Sequence, residues 1–348
     1  MRILFLGETY RADAITWIKG IEFVSGIKIE TAEIPSSPSR SGRILKALGF
    51  FLKLLSLRKK NKFDLVLAER ATSYGLFSLF VKAKVRIVAQ QGITDAYPES
   101  GFSGFYKRRI QNGVYRRVDL IHAWGPVMLE AILKSGTSPS KILIRPKGID
   151  LDLFQFREPY LSRNPTAIVT RSLGDVYRHE IILKAIALIK DRGKNLSCTI
   201  IGDGPLKEDL IKLSKRLGIQ DRIGFLGRIP NNELPKYLNN SEIYISMPNT
   251  EGVSSSLSEA KACGCLPVVS DIRGNRPYIQ SGKNGILVPV DRIDGLADAL
   301  EYVLNYYENF THQVRENRLW IERNADLTVN MSFFYQKYLQ VLQEKGFN

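Results

Sequence analysis

Cysteine and histidine are scarce in this chain, and their scarcity excludes two kinds of site. Its 348 residues include only three cysteines, Cys198, Cys263 and Cys265, which are too few for a disulfide framework. The Cys263-x-Cys265 pair has no second pair at metal-ligand spacing, and the three histidines do not supply one. We therefore expect no structural zinc site, and we interpret the thiols as reduced residues of the core.

Long hydrophobic runs are also missing. No stretch reaches the roughly 18 uncharged apolar residues that a membrane-spanning helix needs. Residues 2–7 place one charge ahead of a short apolar run without a small-residue cleavage site, which indicates a buried strand and not a signal peptide. We expect a cytoplasmic protein that is either soluble or peripheral on the inner face of the cell membrane.

Acidic residues are depleted in the first half of the chain. The net charge is +15, and residues 1–150 contain 25 Lys and Arg against 12 Asp and Glu, whereas residues 151–348 contain 25 against 23. A basic half beside a nearly neutral half implies that one domain faces an anionic partner. Nucleic acid, a membrane surface and an acidic ligand are the candidates.

The depletion is strongest over residues 34–63, which contain eight basic residues and no acidic one. On a helix, positions 43, 46 and 53 share one face, and the apolar positions 44, 48, 51, 52 and 55 share another. This pattern predicts a helix that binds an anionic membrane surface and inserts aromatic residues into the lipid. The alternative is a core helix with a solvated basic face. The predicted membrane contacts are Lys53, Arg58, Lys59, Lys60, Phe50 and Phe51.

Short β-rich apolar runs alternate with helical patterns along the whole chain, which predicts βαβ units and parallel sheets. We predict an α/β protein of two Rossmann-like, doubly wound domains that face an interdomain cleft, where such folds bind ligands. Residues 1–150 form the first domain and residues 151–325 the second. Residues 326–348 are expected to form a C-terminal helix that packs back on the first domain.

The most informative segment is residues 246–260, in which a predicted strand leads through a hydroxyl-rich turn into a helix. Free backbone N–H groups and the helix dipole make such a helix start a cradle for a diphosphate, and Gly252 permits a close approach. Glu251 precedes the helix, whereas Glu259 lies inside it, so one ligand can touch both carboxylates with its two ends. On spacing alone, the alternative is a helix with serine caps and a solvated glutamate.

The Glu251-x7-Glu259 pattern and the residues after it, 260–270, resemble the signature of the family 4 retaining glycosyltransferases, which have the GT-B fold. Residues 200–205 resemble the glycine turn of that family, and residues 225–228 resemble its strand beside the nucleotide base. Residues 146–150 and 284–289 are also typical. The resemblance covers most of residues 119–305 and is only architectural over residues 1–110.

The resemblance implies a role for each matching residue. Glu251 would bind the hydroxyls of the donor sugar, Glu259 would bind the ribose hydroxyls, and Arg171 would neutralise the diphosphate of the leaving group. The remaining donor-binding residues that it implies are Gly252, Val253, Ser254, Ser255, Gly202 and Arg228.

Two departures from the family pattern bear on the chemistry. A lysine-glycine pair usually follows the diphosphate arginine, whereas this chain has Arg178 and His179. Either Arg178 supplies the second cation one place late, or Arg171 is the only cation at the diphosphate. Many members have a histidine near the reacting centre where this chain has Gln91, which can form hydrogen bonds but does not exchange a proton at neutral pH. Gln91 suits a mechanism in which the donor phosphate takes the proton of the acceptor.

The resulting hypothesis is a retaining glycosyltransferase that moves a sugar from a nucleoside diphosphate sugar to a lipid-linked or cell-surface glycan acceptor. No cofactor is expected, and no metal, because no Asp-x-Asp pair follows a strand and the diphosphate already has cationic and amide partners. One alternative is a GT-B sugar-nucleotide epimerase. Another is a basic nucleic-acid-binding protein, against which the cleft carboxylates and the lack of interleaved aromatics argue.

Overall fold

The computed structural model describes residues 1–36, 39–60, 62–97 and 101–346. They form two compact units, one built from Met1–Lys147 together with the chain from Leu327 onward, the other from Gly148–Asp326. Each unit contains a six-stranded sheet in which every pair of neighbouring strands is parallel. The strands are β1 Ile3–Leu6, β2 Glu30–Ala32, β3 Phe63–Glu69, β4 Ala83–Gln90, β5 Leu120–Ala123, β6 Ile142–Ile144, β7 Thr166–Thr170, β8 Ser197–Ile201, β9 Ile223–Gly227, β10 Ile243–Ser246, β11 Leu266–Ser270 and β12 Ile286–Val288.

Helices connect most of the successive strands, as is usual between parallel strands, whereas a loop over residues 271–285 joins β11 to β12. The helices are α1 Ala12–Ser25, α2 Arg40–Lys60, α3 Leu76–Ser78, α4 Ile93–Ala96, α5 Phe102–Arg117, α6 Leu129–Leu133, α7 His179–Asp191, α8 Lys207–Arg216, α9 Leu234–Leu238, α10 Ser255–Cys263, α11 Ile293–Tyr306, α12 Thr311–Asn324 and α13 Leu327–Glu344. A π-helical turn, Arg70–Gly75, follows β3, and a 3-10 turn, Asp175–Tyr177, precedes α7. In the described part of the chain, no helix combines the length and the hydropathy that crossing a membrane would need.

The first unit has the strand order β2-β1-β3-β4-β5-β6, and its central strands are apolar and buried. The C-terminal helix α13 belongs to this unit and packs against α1. Polar contacts fix it there, because Asn330 donates to the carbonyl of Pro146 and accepts a 2.6 Å hydrogen bond from Arg145 Nε. His122, on β5, lies 3.3 Å from the Tyr338 hydroxyl and is fully buried, and this burial lowers its pKa to about 3. His122 is therefore a core residue.

The packing of helix α2 contradicts part of the predicted membrane contact. Phe50 is only 3% exposed and packs edge-on against the rings of Tyr74 and Phe77, so the prediction that Phe50 enters lipid is wrong. Phe51 is half-buried, with its ring 4.9 Å from that of Phe80, and Lys53 is exposed. Among the described side chains of α2, the large apolar ones that face outward are Ile44, Leu45, Leu48 and Leu52. The side chains of Arg58, Lys59 and Lys60 lie outside the described residues.

The second unit has the strand order β12-β11-β10-β7-β8-β9. The order reverses beside β7, because the chain adds β8 and β9 on one side of it and then β10 to β12 on the other. In doubly wound sheets, ligands bind at the carboxyl ends of the strands at such a switch point. Apolar clusters cover both faces of the sheet, and all three cysteines are buried in them as free thiols.

Candidate active site

The switch point of the second unit brings together the segments that follow β7, β8 and β10. Arg171 comes directly after β7, Gly202 directly after β8, and the loop 247–254 directly after β10. Because β10 and β8 both pair with β7 in parallel, all three segments leave the same edge of the sheet. The hydroxyl-rich turn and the helix α10 follow at once.

Arg171 is the centre of the site. Its Nη2 donates to Glu251 Oε2 over 2.7 Å and also to the Oγ of Ser254, while its Nε donates to Ser246 Oγ over 3.2 Å. The guanidinium lies 5.2 Å from the ring centre of Tyr177. The side chains of Arg171 and Glu251 are only 9% and 13% exposed, so this ion pair is screened from solvent. The site therefore holds one cation and one carboxylate in fixed positions.

The charge of Arg171 is stable despite its burial. Burial by itself lowers the pKa of the guanidinium, but Tyr244 and Glu251 raise it, and the net pKa lies above the ordinary value for arginine. Arg171 is thus a permanent cation in a buried setting, where electrostatic interactions are stronger than in water.

Helix α10 begins at the same place. Ser254 is its N-cap, and the Ser254 Oγ accepts a 3.1 Å hydrogen bond from the amide of Leu257. The hydroxyl of Ser256 donates to the carbonyl of Thr170 and so ties the first turn of the helix to the end of β7. Ser255 is exposed, and Val253 and Glu259 are half-buried. The positive end of the helix dipole therefore lies beside Arg171.

Two glycines allow the segments to come this close. Gly202 has a φ of +149°, and a Cβ added to it would lie 2.0 Å from the carbonyl oxygen of Arg171. A Cβ added to Gly274, in the loop after β11, would lie 2.3 Å from the carbonyl oxygen of Glu251. Any side chain at either position would displace the backbone of a site residue. Gly274 is not among the residues predicted from the sequence, although glycine is the usual residue where backbone segments approach closely.

Arg178 stands apart from the cluster around Arg171. Its φ of +50° is left-handed, and its guanidinium forms ion pairs with Glu180, over 2.8 Å, and with Asp291. The hydrogen bond that Arg178 donates to Glu180 raises its pKa above the usual value against the effect of burial, and the nearby charges of Glu180 and Asp291 act in the same direction as the hydrogen bond. Within the described residues, no hydrogen bond joins Arg178 to Arg171 or Glu251. It lines a neighbouring groove of about 460 Å³ together with Asn249.

His179, the first residue of α7, is buried and not the solvated helix cap that its position suggests. Both of its ring nitrogens are buried without a hydrogen-bond partner. Burial lowers its pKa to about 4, and Arg171 acts in the same direction while Glu180 opposes it. His179 is therefore neutral near pH 7. Arg228, after β9 at the edge of the sheet, is exposed.

Gln91 belongs to the first unit, one residue beyond β4, where it contacts a carboxylate that the sequence analysis missed. Its Nε2 donates to Glu69 Oε1 over 3.1 Å, and the backbone amide of Glu8 donates to Glu69 Oε2 over 2.9 Å. Glu69 ends β3 and is 1% exposed, and this burial raises its pKa despite the hydrogen bonds. Arg70, which has a left-handed φ of +57°, and Arg11 both pair with the carboxylate of Glu8. We call these five residues the edge network.

The family model of glycosyl transferases group 1 matches residues 154–319 of this chain. A relative from Campylobacter jejuni, N-acetylgalactosamine-N,N'-diacetylbacillosaminyl-diphospho-undecaprenol 4-alpha-N-acetylgalactosaminyltransferase, is 26% identical over 73% of this chain and 72% of its own length. The UDP-N-acetylglucosamine–peptide N-acetylglucosaminyltransferase GtfA subunit of Streptococcus parasanguinis is 27% identical over 76% of this chain and 57% of its own length. A GDP-mannose-dependent alpha-(1-6)-phosphatidylinositol monomannoside mannosyltransferase of Mycobacterium tuberculosis is 27% identical over 51% of this chain and 50% of its own length.

Solved structures agree in fold. Anabaena HepE in complex with UDP-glucose superposes with a TM-score of 0.77 at 16% identity, covering 98% of this chain and 99% of that one. Sucrose-phosphate synthase from Thermosynechococcus elongatus superposes with a TM-score of 0.82 at 14% identity, covering 99% of this chain and 100% of that one. The chain therefore has the GT-B fold, as the sequence predicts. The match to the glycosyl transferases group 1, which covers slightly less than half of the chain, and the named relatives together support a glycosyltransferase.

Proposed function

We propose that the protein transfers a sugar, with retention of the anomeric configuration, from a nucleoside diphosphate sugar to a lipid-linked or cell-surface glycan acceptor. The observation that carries this proposal is the cluster of Arg171, Glu251 and Ser254 at the start of α10. It offers a permanent cation, a carboxylate and a helix N-terminus within one hydrogen-bonded group. These are the partners that a sugar diphosphate needs.

Arg171 is proposed to bind the diphosphate. A guanidinium has five N–H donors, and three of those of Arg171 are occupied by Ser246, Glu251 and Ser254. The two N–H groups of Nη1 make no hydrogen bond within the described residues, so they are available to phosphate oxygens. Negative charge grows on the diphosphate as the sugar leaves, and a fixed cation therefore stabilises the transition state more than the ground state.

Glu251 is proposed to change partners when the donor binds. Without a ligand, the Glu251 carboxylate neutralises Arg171, so neither of these two poorly solvated charges lacks a partner of opposite sign. A diphosphate supplies Arg171 with new anionic oxygens, and the Glu251 carboxylate can then accept hydrogen bonds from the sugar hydroxyls. The pair thus keeps both side chains in place for the donor.

The remaining donor contacts are proposed from position and resemblance together. The backbone N–H groups of Val253, Ser254 and Ser255 lie at the N-terminus of α10, where phosphate binding is favourable. Glu259 is proposed to hold the ribose hydroxyls from the second turn of that helix, with Gly202 and Arg228 on the side of the base. With these partners the diphosphate needs no catalytic metal, and its own oxygen can take the proton of the acceptor.

A panel of UDP-, GDP- and ADP-sugars tests the donor site. HepE has been crystallised with UDP-glucose, whereas the mycobacterial relative is named for GDP-mannose, so the panel must include both bases. A true donor should raise the unfolding temperature, because it binds only the folded chain. NMR of the transfer product should then show the anomeric configuration of the donor. An inverted product would contradict the retaining mechanism, and a donor that is isomerised without any acceptor would indicate an epimerase instead.

We also propose that α2 attaches the first unit to an anionic membrane. Ile44, Leu45, Leu48 and Leu52 are between 56% and 69% exposed, on a helix that lies within an acid-free stretch. The exposed aromatic residues Phe102, Phe105 and Tyr106 on α5 adjoin a second basic run, residues 107–109. Peripheral attachment at the inner face of the membrane would bring the enzyme to a lipid-linked acceptor. The name of the Campylobacter relative gives a diphospho-undecaprenol acceptor for that protein.

Vesicle co-sedimentation tests the membrane contact. Basic residues near an anionic surface contribute about 1 kcal/mol each, and salt screens this attraction. Replacing the basic residues at 58, 59, 60 and 62 with glutamine should release the protein from anionic vesicles at low salt. Replacing Leu48 with glutamate should release the part of the binding that resists salt. Equal co-sedimentation of these variants and the unmodified protein would leave α2 as an ordinary surface helix.

A further inference from the structure

We infer that Glu69 is a positioning residue, which orients the amide of Gln91 so that its carbonyl oxygen accepts a hydrogen bond from the attacking hydroxyl of the acceptor. The inference rests on the proposed function and adds to it a residue of the acceptor side. It is drawn from the edge network alone, at the carboxyl ends of β1, β3 and β4 in the first unit. That edge is where a parallel sheet of this kind binds ligands.

The orientation of the amide follows from hydrogen-bond chemistry. An ionised carboxylate only accepts hydrogen bonds, so the group of Gln91 that lies 3.1 Å from Glu69 must be its NH₂. The carbonyl oxygen of Gln91 is consequently turned away from Glu69. Gln91 is half-buried, and this carbonyl oxygen makes no hydrogen bond in the part of the chain that the structure describes. This carbonyl oxygen can therefore accept a hydrogen bond from a sugar or lipid hydroxyl.

Glu69 is not itself placed to take the proton. Its two oxygens are engaged by Gln91 and by the backbone amide of Glu8, and its side chain is almost completely buried. Arg70 approaches the same carboxylate to 3.9 Å while it pairs with Glu8, which further defines the position of the carboxylate. Glu69 therefore acts through Gln91, and the acceptor hydroxyl contacts only the amide.

The backbone supports a functional role for this corner. Arg70 adopts the left-handed conformation without being glycine, directly after the strand that delivers Glu69. A non-glycine residue rarely adopts that conformation, and such strained positions are concentrated at functional sites. Here it lets the chain turn sharply, so that Glu69 points into the unit while Arg70 reaches back to Glu8.

An exchange of the two side chains tests the inference. In Glu69→Gln, the oxygen of the new amide still accepts the hydrogen bond from the backbone amide of Glu8, and its NH₂ group faces Gln91. The amide of Gln91 must then rotate so that its oxygen accepts from this NH₂ group. The acceptor hydroxyl would meet an NH₂ donor, so kcat/KM for the acceptor should fall by about 10- to 100-fold, the loss expected when one such hydrogen bond is replaced by a mismatch. In the double variant Glu69→Gln with Gln91→Glu, the amide at position 69 donates a hydrogen bond to the carboxylate at position 91. This carboxylate still offers an oxygen to the acceptor hydroxyl. Transfer should recover at least tenfold over the single variant.

Controls separate positioning from folding. Glu30→Gln removes the charge of an exposed glutamate in the same unit, which pairs with Arg2, and should leave transfer unchanged. Thermal unfolding of all variants shows whether the chain folds, and nucleotide-sugar protection reports the second unit independently. If Glu69 only supports the fold, Gln91→Glu will not restore transfer to the Glu69→Gln variant.

The outcomes are distinct. Transfer by Glu69→Gln at the rate of the unmodified protein, or a loss that the exchange does not restore, overturns the inference and leaves the proposed function in place. An unmodified protein that neither binds nor uses any sugar nucleotide of the panel contradicts the proposed function, and the inference falls with it.

Discussion

Replacing Arg171 with lysine isolates the geometry of the cation from its charge. A lysine keeps the positive charge but presents its three donors from one nitrogen, so it does not reproduce the fork that reaches Ser246, Glu251 and Ser254 together. Losing one donor to the growing charge of a leaving group costs about 3 kcal/mol in the transition state. At 1.36 kcal/mol for each factor of ten, kcat/KM should fall roughly 100- to 200-fold.

The same substitution should cost little stability. Because a cation remains beside it, the carboxylate of Glu251, which is 13% exposed, is not left unpaired. The free energy of unfolding should fall by only about 1 kcal/mol, the net contribution of an ordinary hydrogen bond. The companion variant Arg171→Met removes the charge and should cost about 3 to 5 kcal/mol, because it leaves a poorly solvated carboxylate without its partner.

The assay combines steady-state transfer, using a donor identified by the panel, with urea unfolding of both variants. Arg171→Lys should show a large loss of turnover with a small loss of stability, whereas Arg171→Met should lose both turnover and stability strongly. If Arg171→Lys keeps kcat/KM within threefold of the unmodified enzyme, bidentate contact with the diphosphate is not part of the mechanism. If both variants lose stability equally, the ion pair is not the source of the effect.

Three further predictions concern the same unit. Glu251→Ala should abolish transfer, whereas Glu259→Ala should chiefly weaken nucleotide binding, by about 1.5 to 3 kcal/mol for hydrogen bonds to a charged group; wild-type kinetics in both would contradict the donor-site assignment. Arg178→Ala should reduce turnover less than Arg171→Lys, because carboxylates already engage the guanidinium of Arg178. EDTA should leave turnover unchanged, and complete inhibition by EDTA would show that the reaction requires a metal. The pKa of His179 is lowered in the folded chain to about 4 from an ordinary value of 6.5, so its neutral form stabilises the fold above pH 6.5 and this contribution is lost as the pH falls toward 4. His179→Leu should therefore lose about 2 kcal/mol less stability than the unmodified chain between pH 7 and pH 5 in urea titrations, and an equal loss would mean that His179 is not neutral and buried.

The periodicity of the sequence was sufficient to predict the fold. The twelve strands coincide with short apolar runs of the sequence, and the long helices fall between them. Parallel strands that are covered on both faces consist of nearly uninterrupted apolar residues, so the signal is local and strong. The last helix, α13, begins at Leu327 and belongs to the first unit.

The candidate donor site was also largely predictable, because its residues lie next to strand ends and one helix start. The family resemblance around Glu251 and Glu259 indicates the segment, and the position of Arg171 after β7 brings it to the same edge. What the sequence alone determined is therefore the order of the elements and the residues at their ends.

Only the tertiary structure decided which partner each side chain meets. Arg171 and Glu251 are 80 residues apart in sequence and pair through the neighbouring positions of β7 and β10. Glu69 carries no sequence signal of its own, since a glutamate at the end of a strand is ordinarily solvated, yet the segments after β1 and β4 enclose it. Phe50 shows the converse, because an apolar helix face indicates burial against something, while the rings of α3 and the π-helical turn, and not lipid, are what cover it. The pattern of apolar residues in a sequence indicates that a helix face is covered. The partner that covers it is determined only when distant parts of the chain pack together.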